Sequence, residues 1–464
     1  MFIGREREMA ELNRRYRRRG FAFPVIYGRR RVGKTRLLQE FIKDKPAIYF
    51  MATEQGEREQ LHAFSLALRE QLPEGKLAGD FASWDDLFQY ITVLAQTQRW
   101  VLVIDEFPYL AKAVPGITSL LQKYIDHAWQ DTQLYLVLCG SSMSFMERQV
   151  LGYKSPLYGR RTAQLKLHPL PYYESARFFP QWSDEEKLLA YGVCDGIPQY
   201  LSFFARYRSL REAVCEEFLS LGGHLQEEPE NLMLQELREP AVYNSLLTAL
   251  AHGASRQNDI ATALGRSGSQ ITFYLNNLQA LELIARQVPV ESKRSRKAIY
   301  VITDNLYRFW YRFMPECATL IALGLGERAW QERIAPQLHA YFGRIFEDIA
   351  MQYVQEQVRQ GIIPELYITY GHWWGNNPQR KRAEEIDLVC TNDSDILCGE
   401  CKWRNEPMDK SVLTTLHERA ALVQQGRRLH LMLFAKSSFS QELCQVAQEG
   451  RVQLVSVKDL LSLV

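Results

Sequence analysis

The segment at residues 28–35, with the sequence GRRRVGKT, constrains the fold of this chain more than any other part. It fits the pattern GxxxxGK(S/T) without a mismatch, follows an apolar run at 21–27 and precedes residues with helical periodicity. A strand, a glycine-rich turn and a helix in this order surround a phosphate with backbone N–H groups and a helix N-terminus. The segment therefore predicts a P-loop on a parallel α/β sheet that binds ATP.

The P-loop motif assigns roles to single residues. Lys34 would reach the β and γ phosphates, and the hydroxyl of Thr35 would hold Mg²⁺. An apolar run at 101–104 leads to Asp105, predicted in the metal shell, and Glu106, predicted to orient the attacking water. The loop residues predicted to bind the nucleotide are Gly28, Arg29, Arg30, Arg31, Val32, Gly33, Lys34, Thr35 and Arg36.

Two further positions are candidates for the same site. Ser141 or Ser142 follows a predicted strand at 134–139 and would serve as a polar sensor of the γ phosphate; the alternative is an ordinary turn serine. Arg160 or Arg161 would supply an arginine finger, or else is a solvated arginine. A finger acting between subunits would require a homo-oligomer.

The chain of 464 residues is too long for one ordinary core, so two to four domains are expected. Strands and helices alternate over 1–170, with strands at 21–27, 47–51, 100–105 and 134–139. Helical periodicity without strand signals predicts a lid at 171–238. A winged helix is predicted at 239–304, a helical connector at 305–335, and a second α/β domain at 336–464.

The predicted winged helix is the candidate for DNA binding. Its third helix, 267–281, would present Ser269, Gln270, Thr272, Tyr274 and Asn277 to phosphates or base edges. The hairpin tip that follows would contact phosphates through Lys293, Arg294, Arg296 and Lys297. Winged helices also bind proteins, so a protein partner is the alternative to DNA.

The last domain contains a second catalytic candidate. Asp387 and Glu400 lie on adjacent predicted strands, and Lys402 shares a strand face with Glu400 because side chains alternate with period two. Glu347 lies on the preceding predicted helix. Carboxylates that hold Mg²⁺ or Mn²⁺ beside a lysine suit phosphodiester hydrolysis, with Asp387 and Glu400 as metal ligands. The alternative is a set of surface charges or an inactive nuclease fold.

Composition limits the remaining possibilities. The chain is 46% hydrophobic and 24% charged, as expected of a globular protein, and shows neither a signal peptide nor an apolar run of membrane-spanning length. We therefore expect a cytoplasmic protein without membrane association. The net charge of +2 excludes a global attraction to nucleic acid but not local basic patches, such as 14–19, 29–31, 293–297 and 380–382. Cys398 and Cys401 have CxxC spacing without a second half-site, which favours reduced thiols over zinc.

Several short motifs resemble a known family. Residues 2–6 (FIGRE) resemble the box that precedes the P-loop in STAND-type and AAA+ ATPases, and 196–198 (GIP) resemble the GxP motif of their lid. This resemblance implies that Arg5 and Pro198 lie near the adenine. The order of parts, with 304–311 (DNLYRFWY) and 373–375 (WWG), resembles the archaeal-type ATPase family.

The family resemblance also bears on the second catalytic candidate. It implies a C-terminal domain similar to restriction endonucleases, whose PD-(D/E)XK pattern would comprise Glu347, Asp387, Glu400 and Lys402. The main hypothesis is an ATP-controlled DNA-processing enzyme. The alternatives are an ATP-driven switch with an inactive nuclease fold, and an ATPase whose partner is a protein.

Overall fold

The computed structural model describes residues 2–72, 79–237, 239–291, 297–378 and 380–463. The chain divides into two compact units. The first comprises Met1–Leu170 together with Ile197–Gln199, and the second comprises Pro171–Gly196 and Tyr200–Val464. Within the described residues, no helix has both the length and the apolar character needed to cross a membrane.

The first unit is built on a sheet of five parallel strands in the order β2-β3-β4-β1-β5. The strands are β1 (Pro24–Gly28), β2 (Ala47–Met51), β3 (Val101–Asp105), β4 (Tyr135–Gly140) and β5 (Ala163–Leu167). Every residue of β1, β3 and β4 is buried, as expected for central parallel strands covered on both faces. Because β4 separates β1 from β3, the P-loop and the end of β3 lie on either side of the end of β4. The predicted α/β fold is confirmed.

Helices accompany this sheet in the described part of the first unit. They are α1 (Glu6–Tyr16), α2 (Lys34–Ile42), α3 (Glu57–Gln71), α4 (Trp84–Thr97), α5 (Phe107–Ala113), α6 (Ile117–Tyr124) and α7 (Met143–Phe145). One turn of π-helix, Ile125–Trp129, continues α6. Aromatic rings fill the core on one side of the sheet: Phe88 packs edge-on against both Tyr124 and Trp129. The predicted helix at 117–129 therefore exists but changes its winding at Ile125.

The second unit begins with helices. They are α8 (Tyr172–Ala176), α9 (Asp184–Cys194), α10 (Pro198–Phe204, whose first two residues belong to the first unit), α11 (Leu210–Glu217) and α12 (Glu228–Glu236). Ser183 begins α9 with a capping box, in which its hydroxyl and the Glu186 carboxylate satisfy each other's backbone N–H. The described part of this region contains helices and no strand, as its periodicity predicts.

Three helices and an antiparallel hairpin follow in the order predicted for the winged helix. The elements are α13 (Pro240–Ala251), α14 (Gln257–Leu264), α15 (Gly268–Ala280), β6 (Ile284–Gln287) and β7 (Ile299–Ile302). Gly265 ends α14 in the left-handed conformation, which glycine adopts without steric cost. Ser267 and Gln270 then form a capping box that begins α15.

The rest of the second unit carries a mixed five-stranded sheet in the order β12-β11-β10-β9-β8. Its strands are β8 (Thr369–Asn377), β9 (Arg382–Thr391), β10 (Asp395–Lys402), β11 (Arg428–Ala435) and β12 (Gln453–Ser456). Strands β8, β9 and β10 pair antiparallel, whereas β10, β11 and β12 pair parallel. The helices are α16 (Asn305–Ala322), α17 (Gly326–Ala329), α18 (Ala335–Arg359), α19 (Lys410–Ala420), α20 (Gln441–Gln448) and α21 (Val457–Leu461).

Candidate functional site

The P-loop has the backbone geometry that phosphate binding requires. Arg31 and Gly33 both have positive φ, of 68° and 90°, so the loop turns back on itself before α2 begins. Gly28 leaves no room for a side chain, because a Cβ there would lie 2.4 Å from the carbonyl oxygen of Leu167. Lys34 is buried, and its Nζ donates to the carbonyl oxygens of Gly28 and Arg29 at 2.9 and 2.8 Å. Desolvation by this burial lowers the pKa of Lys34.

The carboxylate of Asp105, at the end of β3, accepts three hydrogen bonds. Its Oδ2 accepts from the hydroxyls of Thr35 at 2.8 Å and Tyr49 at 2.6 Å, and its Oδ1 accepts from the backbone N–H of Glu106 at 2.8 Å. Asp105 is fully buried. The side chains predicted to share a metal, Thr35 and Asp105, are therefore in direct contact. The β2 residue Tyr49 joins them without having been predicted.

Glu106 adopts a left-handed backbone conformation with φ of 49°, uncommon for a residue with a side chain. Its Oε2 accepts from the hydroxyl of Ser141 at 2.8 Å and from the Ser141 backbone N–H at 3.3 Å. The structure thus brings the predicted water-orienting residue and the predicted sensor together at the ends of β3 and β4. Arg36, by contrast, is exposed on α2.

Arg5 and Pro198 lie beside the P-loop. Arg5 is buried, and its guanidinium donates to the carbonyl oxygens of Val32 at 2.9 Å and His168 at 2.6 Å and pairs with Glu8 at 2.9 Å. The Pro198 ring lies 3.6 Å from where a Cβ on Gly33 would be. Arg5 is therefore hydrogen-bonded to the loop backbone and Pro198 lies close to Gly33, whereas contact of either residue with adenine stays a prediction.

Arg160 is held by an ion pair in this conformation. Its Nε and NH2 groups donate to the two carboxylate oxygens of Asp126, both at 2.7 Å. The Arg161 guanidinium lies over the ring of Tyr158, 6.0 Å from its centroid. An arginine-finger function for Arg160 would require it to leave Asp126, and that function stays a prediction.

The predicted DNA-reading helix is exposed only in part. Ser269, Gln270 and Thr272 are exposed on α15, while Asn277 is half-buried and donates to the hydroxyl of Tyr243 at 2.7 Å. The prediction that Tyr274 faces outward is wrong. Tyr274 is buried, stacks edge-on against Tyr243 and donates its hydroxyl to Glu239 at 2.7 Å.

The hairpin packs against the mixed sheet within the second unit. Val290 belongs to that sheet's apolar core, and its N–H donates to the carbonyl oxygen of His372 on β8 at 2.9 Å. Trp374 donates its indole N–H to the carbonyl oxygen of Lys297 at 3.2 Å, and Glu291 pairs with Arg427 at 2.9 Å. Of the predicted tip residues, Lys293, Arg294 and Arg296 lie outside the described residues.

Asp387 and Glu400 are buried strand residues of the C-terminal domain, whereas Glu347 is half-buried on α18. Asp387 accepts from the backbone N–H of Cys401 at 2.9 Å, a bond that links β9 to the end of β10. Burial, reinforced by the charge of Glu400, raises the pKa of Asp387 to about 6. Burial also raises the pKa of Glu347 to about 8, against the opposing effect of Arg344, and Asp387 raises it further.

Two cationic side chains, Lys402 and Arg419, contact the remaining predicted acid, Glu400. Lys402 Nζ donates to Glu400 Oε1 at 2.7 Å, and Arg419 on α19 lies 3.3 Å from both oxygens of Glu400. Burial opposes the charge of Lys402, but Glu400 outweighs it and raises the pKa of Lys402. On α18, Arg344 contacts Glu347 at 2.7 Å and reaches Gln287 of β6 at 3.0 Å. Arg344 therefore connects the hairpin to the acidic region.

The cysteines and the basic run near this region form local contacts. Cys398 and Cys401 are buried and form no disulfide. Arg382 pairs with Glu384 at 2.7 Å, and Arg380 pairs with Glu418. Both arginines therefore have partners already.

Comparison with known proteins identifies the family. A model described as an ATPase domain predominantly from Archaea matches residues 2–204, and one for archaeal and bacterial proteins of unknown function matches residues 310–416. An uncharacterized protein of Methanocaldococcus jannaschii is 33% identical over 428 residues, covering 91% of this chain and 92% of its own. The chain belongs to this archaeal-type P-loop ATPase family.

Two further matches are to an ATP-binding protein and to a solved ATPase structure. An uncharacterized ATP-binding protein of the same archaeon is 40% identical over 45 residues, which cover 10% of this chain and 76% of its own. The Walker-type ATPase of Pyrococcus abyssi has a similar structure, with a TM-score of 0.50 and 21% identity over 67% of this chain and 96% of its own. At that identity the similarity shows the fold alone.

Proposed function

We propose that this archaeal-type ATPase hydrolyses ATP at the P-loop and uses the nucleotide state to control a metal-dependent DNA-processing site in its C-terminal domain. The ATPase part rests on the network that joins Thr35, Asp105, Glu106 and Ser141. The DNA-processing part is carried by one observation, namely that Asp387 interacts electrostatically with both Glu347 and Glu400, while Lys402 donates to Glu400 at 2.7 Å.

The residues around Asp105 fit Mg²⁺. A fully buried carboxylate oxygen and a hydroxyl 2.8 Å from it are hard oxygen donors, which Mg²⁺ prefers. Bound there with ATP, the ion would neutralise the charge that develops on the phosphates. Lys34 would turn from the carbonyl oxygens of Gly28 and Arg29 to the phosphates. Glu106, held by Ser141, would orient a water toward the γ phosphate.

The C-terminal acids supply oxygen donors of the kind that Mg²⁺ or Mn²⁺ prefers, although Glu347, Asp387 and Glu400 do not bring three ligand atoms within 4.8 Å of one another in this conformation and would have to move closer to share one ion. Burial is the main cause of the raised pKa values of Asp387 and Glu347, and their present partners compensate it only in part. A bound Mg²⁺ or Mn²⁺ would supply that compensation and activate a water for attack on a phosphodiester. Lys402 would stabilise the charge that develops on the phosphate rather than bind the metal.

One observation favours the rival function, an ATP-driven switch with an inactive nuclease fold. Glu400 is already neutralised by both Lys402 and Arg419, so this carboxylate needs no metal. In that case the winged-helix-like segment would bind DNA or protein without cleavage.

The deciding experiment incubates the full chain with single- and double-stranded DNA, with Mg²⁺ or Mn²⁺, and with or without ATP. Asp387→Asn should abolish cleavage while ATP hydrolysis continues, because ATP is hydrolysed at the P-loop. The matched control is Asp393→Asn, an exposed acid in the turn between β9 and β10, which should cleave normally. Cleavage that persists in Asp387→Asn, or no cleavage under any condition, would reject the nuclease assignment.

DNA binding itself is tested through the hairpin charges. Replacing Lys293, Arg294, Arg296 and Lys297 with serine should weaken DNA binding with little sequence dependence. The log–log salt slope should become shallower by about 0.9 for every phosphate that the serine variant no longer neutralises. Unchanged affinity and slope would point to a protein partner.

A further inference from the structure

Three side chains that can ligate metals converge at the end of the mixed sheet away from Glu400. Glu365 precedes β8, Asp395 begins β10, and His430 lies on the neighbouring strand β11. Their ligand atoms all lie within 4.8 Å of one another. Across the part of the chain that the structure describes, no other three His, Cys, Asp or Glu side chains meet this condition.

The distances within this group suit one small ion. His430 Nε2 lies 3.1 Å from Asp395 Oδ1 and 3.7 Å from Glu365 Oε1. Ligands about 2.1 Å from a tetrahedral Zn²⁺ are about 3.4 Å apart, which falls between these two values. The distances from the imidazole nitrogen to the two carboxylate oxygens therefore match those between the ligands of one metal ion. The shorter of the two distances also permits a direct hydrogen bond.

Tyr367 provides a second, independent observation. This side chain is 7% exposed, and its hydroxyl is buried without a hydrogen-bond partner. It lines the same cavity as Glu365 and His430 and interacts electrostatically with both Glu365 and Asp395. A buried hydroxyl is costly to leave unsatisfied, so its position beside two carboxylates indicates a missing polar partner such as a bound water.

Arg428 supplies positive charge to this group in the present structure. Its Nε lies 2.7 Å from Asp395 Oδ1, the oxygen that His430 also contacts, and its NH2 lies 3.4 Å from Glu365 Oε1. The Arg428 side chain is 69% exposed, so it can turn into solvent without crossing the core. The Arg428 guanidinium therefore lies where a cation is stabilised, and a smaller, doubly charged ion could occupy the same position.

We propose that Glu365, Asp395 and His430 bind one divalent transition-metal ion, with Zn²⁺ best suited to the mixed nitrogen and oxygen donors, and that Arg428 leaves when it binds. A water in the fourth position would bond to the Tyr367 hydroxyl. Mg²⁺ is disfavoured because it prefers oxygen ligands only. The ion would fix the segment before β8 to β10 and β11. Glu400 lies five positions after Asp395 along β10, a rise of about 17 Å, so this site is distinct from the proposed nuclease site.

The test is calorimetric titration of the full chain with Zn²⁺, and with Mg²⁺ in parallel. His430→Ala and Asp395→Asn should each lose one equivalent of Zn²⁺ relative to the wild type. Arg428→Gln should instead bind Zn²⁺ about fivefold more tightly, which corresponds to removing a competing ion pair of about 1 kcal/mol. Asp393→Asn, an exposed acid two residues from Asp395, is the matched control and should bind like the wild type.

Thermal unfolding keeps the proposal testable if Asp395→Asn folds poorly. Zn²⁺ should raise the Tm of the wild type and of Arg428→Gln but not that of His430→Ala, whose half-buried position tolerates truncation. Equal Zn²⁺ stoichiometry in the wild type and His430→Ala, or weaker binding in Arg428→Gln, would show that the group is an ion-pair network only.

Discussion

Both proposed catalytic regions contain a buried carboxylate on a strand, but the two carboxylates accept different numbers of hydrogen bonds. At the P-loop, Asp105 accepts three hydrogen bonds from Thr35, Tyr49 and a backbone N–H. In the C-terminal domain, Asp387 accepts one backbone N–H, and its pKa is raised to about 6. Hydrogen bonds offset the cost of burying a charge, and the single backbone hydrogen bond to Asp387 does not outweigh burial and the charge of Glu400. The P-loop region is therefore organised before its metal arrives, and the C-terminal region should change protonation when one binds.

The largest effect should come from the P-loop side of this comparison. Glu106→Gln should bind ATP normally but slow hydrolysis by about 10²–10⁴-fold, the usual contribution of a general base. Lys34→Ala should instead lose ATP binding, because it removes the ammonium that contacts the phosphates. Steady-state ATPase assays and nucleotide-binding titrations separate the two outcomes. Hydrolysis by Glu106→Gln at the wild-type rate would show that Glu106 does not act on the water.

The next prediction concerns pH and the C-terminal acids. Glu347 keeps its proton up to about pH 8 in the folded chain but loses it near its ordinary, lower pKa when unfolded. The native state therefore binds more protons between these values, and the metal-free protein should lose stability as pH rises from about 5 to 8. The loss should reach a few kcal/mol at most, since each pKa unit corresponds to about 1.4 kcal/mol.

Urea unfolding across this pH range measures that slope. Glu347→Gln should make it shallower, because the amide does not titrate, and should leave the smaller contribution of Asp387, whereas Asp393→Asn should leave the slope unchanged. Mg²⁺ or Mn²⁺ should also reduce the slope, since a bound cation favours the deprotonated acids. A slope that Glu347→Gln does not alter would mean that this side chain is ionised well below pH 8 in the folded protein.

The sequence predicted the P-loop region better than the C-terminal one because its determinants are local. The P-loop and its adjoining strand are one continuous segment of the sequence, and the Asp105-Glu106 pair directly follows the strand that positions it. Strand β5 was not predicted because it lies at the edge of the sheet, where its sequence AQLKL is partly polar and lacks a continuous apolar run. Arg344 and Arg419 also escaped prediction, because their partners Gln287 and Glu400 are distant in the sequence.

The error at Tyr274 has a similar physical origin. Ile271, Leu275 and Leu278 correctly define the buried face of α15, and Tyr274 lies three residues after Ile271, on the same face. Its polar hydroxyl suggested exposure, but Glu239 satisfies that hydroxyl inside the protein. The position of Tyr274 on the helix predicts that its side chain is buried, whereas the polarity of its hydroxyl predicts the opposite.

A smaller effect is expected from Arg344, which contacts the C-terminal acid Glu347. It lowers the pKa of Glu347, so Arg344→Gln should raise that pKa further and move the rise of any cleavage activity to higher pH. Gln287→Ala should shift the profile in the same direction but less, because Gln287 only orients the guanidinium. The pH–rate profile is the measurement, and Arg333→Gln, an exposed arginine just before α18, is the control. Identical profiles in all variants would mean that the hairpin contact has no influence on the acids.

The smallest expected effect concerns Tyr49, which was not predicted from the sequence. Thr35 and Tyr49 both donate to Asp105 Oδ2, and if Thr35 turns to Mg²⁺, Tyr49 stays as the side chain that orients this oxygen. Tyr49→Phe removes one hydrogen bond of about 0.5–1.5 kcal/mol and should raise the Mg²⁺ concentration for half-maximal ATPase activity up to about tenfold. The maximal rate should change less, because Glu106 and Ser141 are untouched. Tyr109→Phe, at a half-buried tyrosine of α5, should leave the Mg²⁺ requirement unchanged. If Tyr49→Phe instead lowers the maximal rate at saturating Mg²⁺, the hydroxyl acts on the reaction itself and Asp105 does not depend on it for orientation.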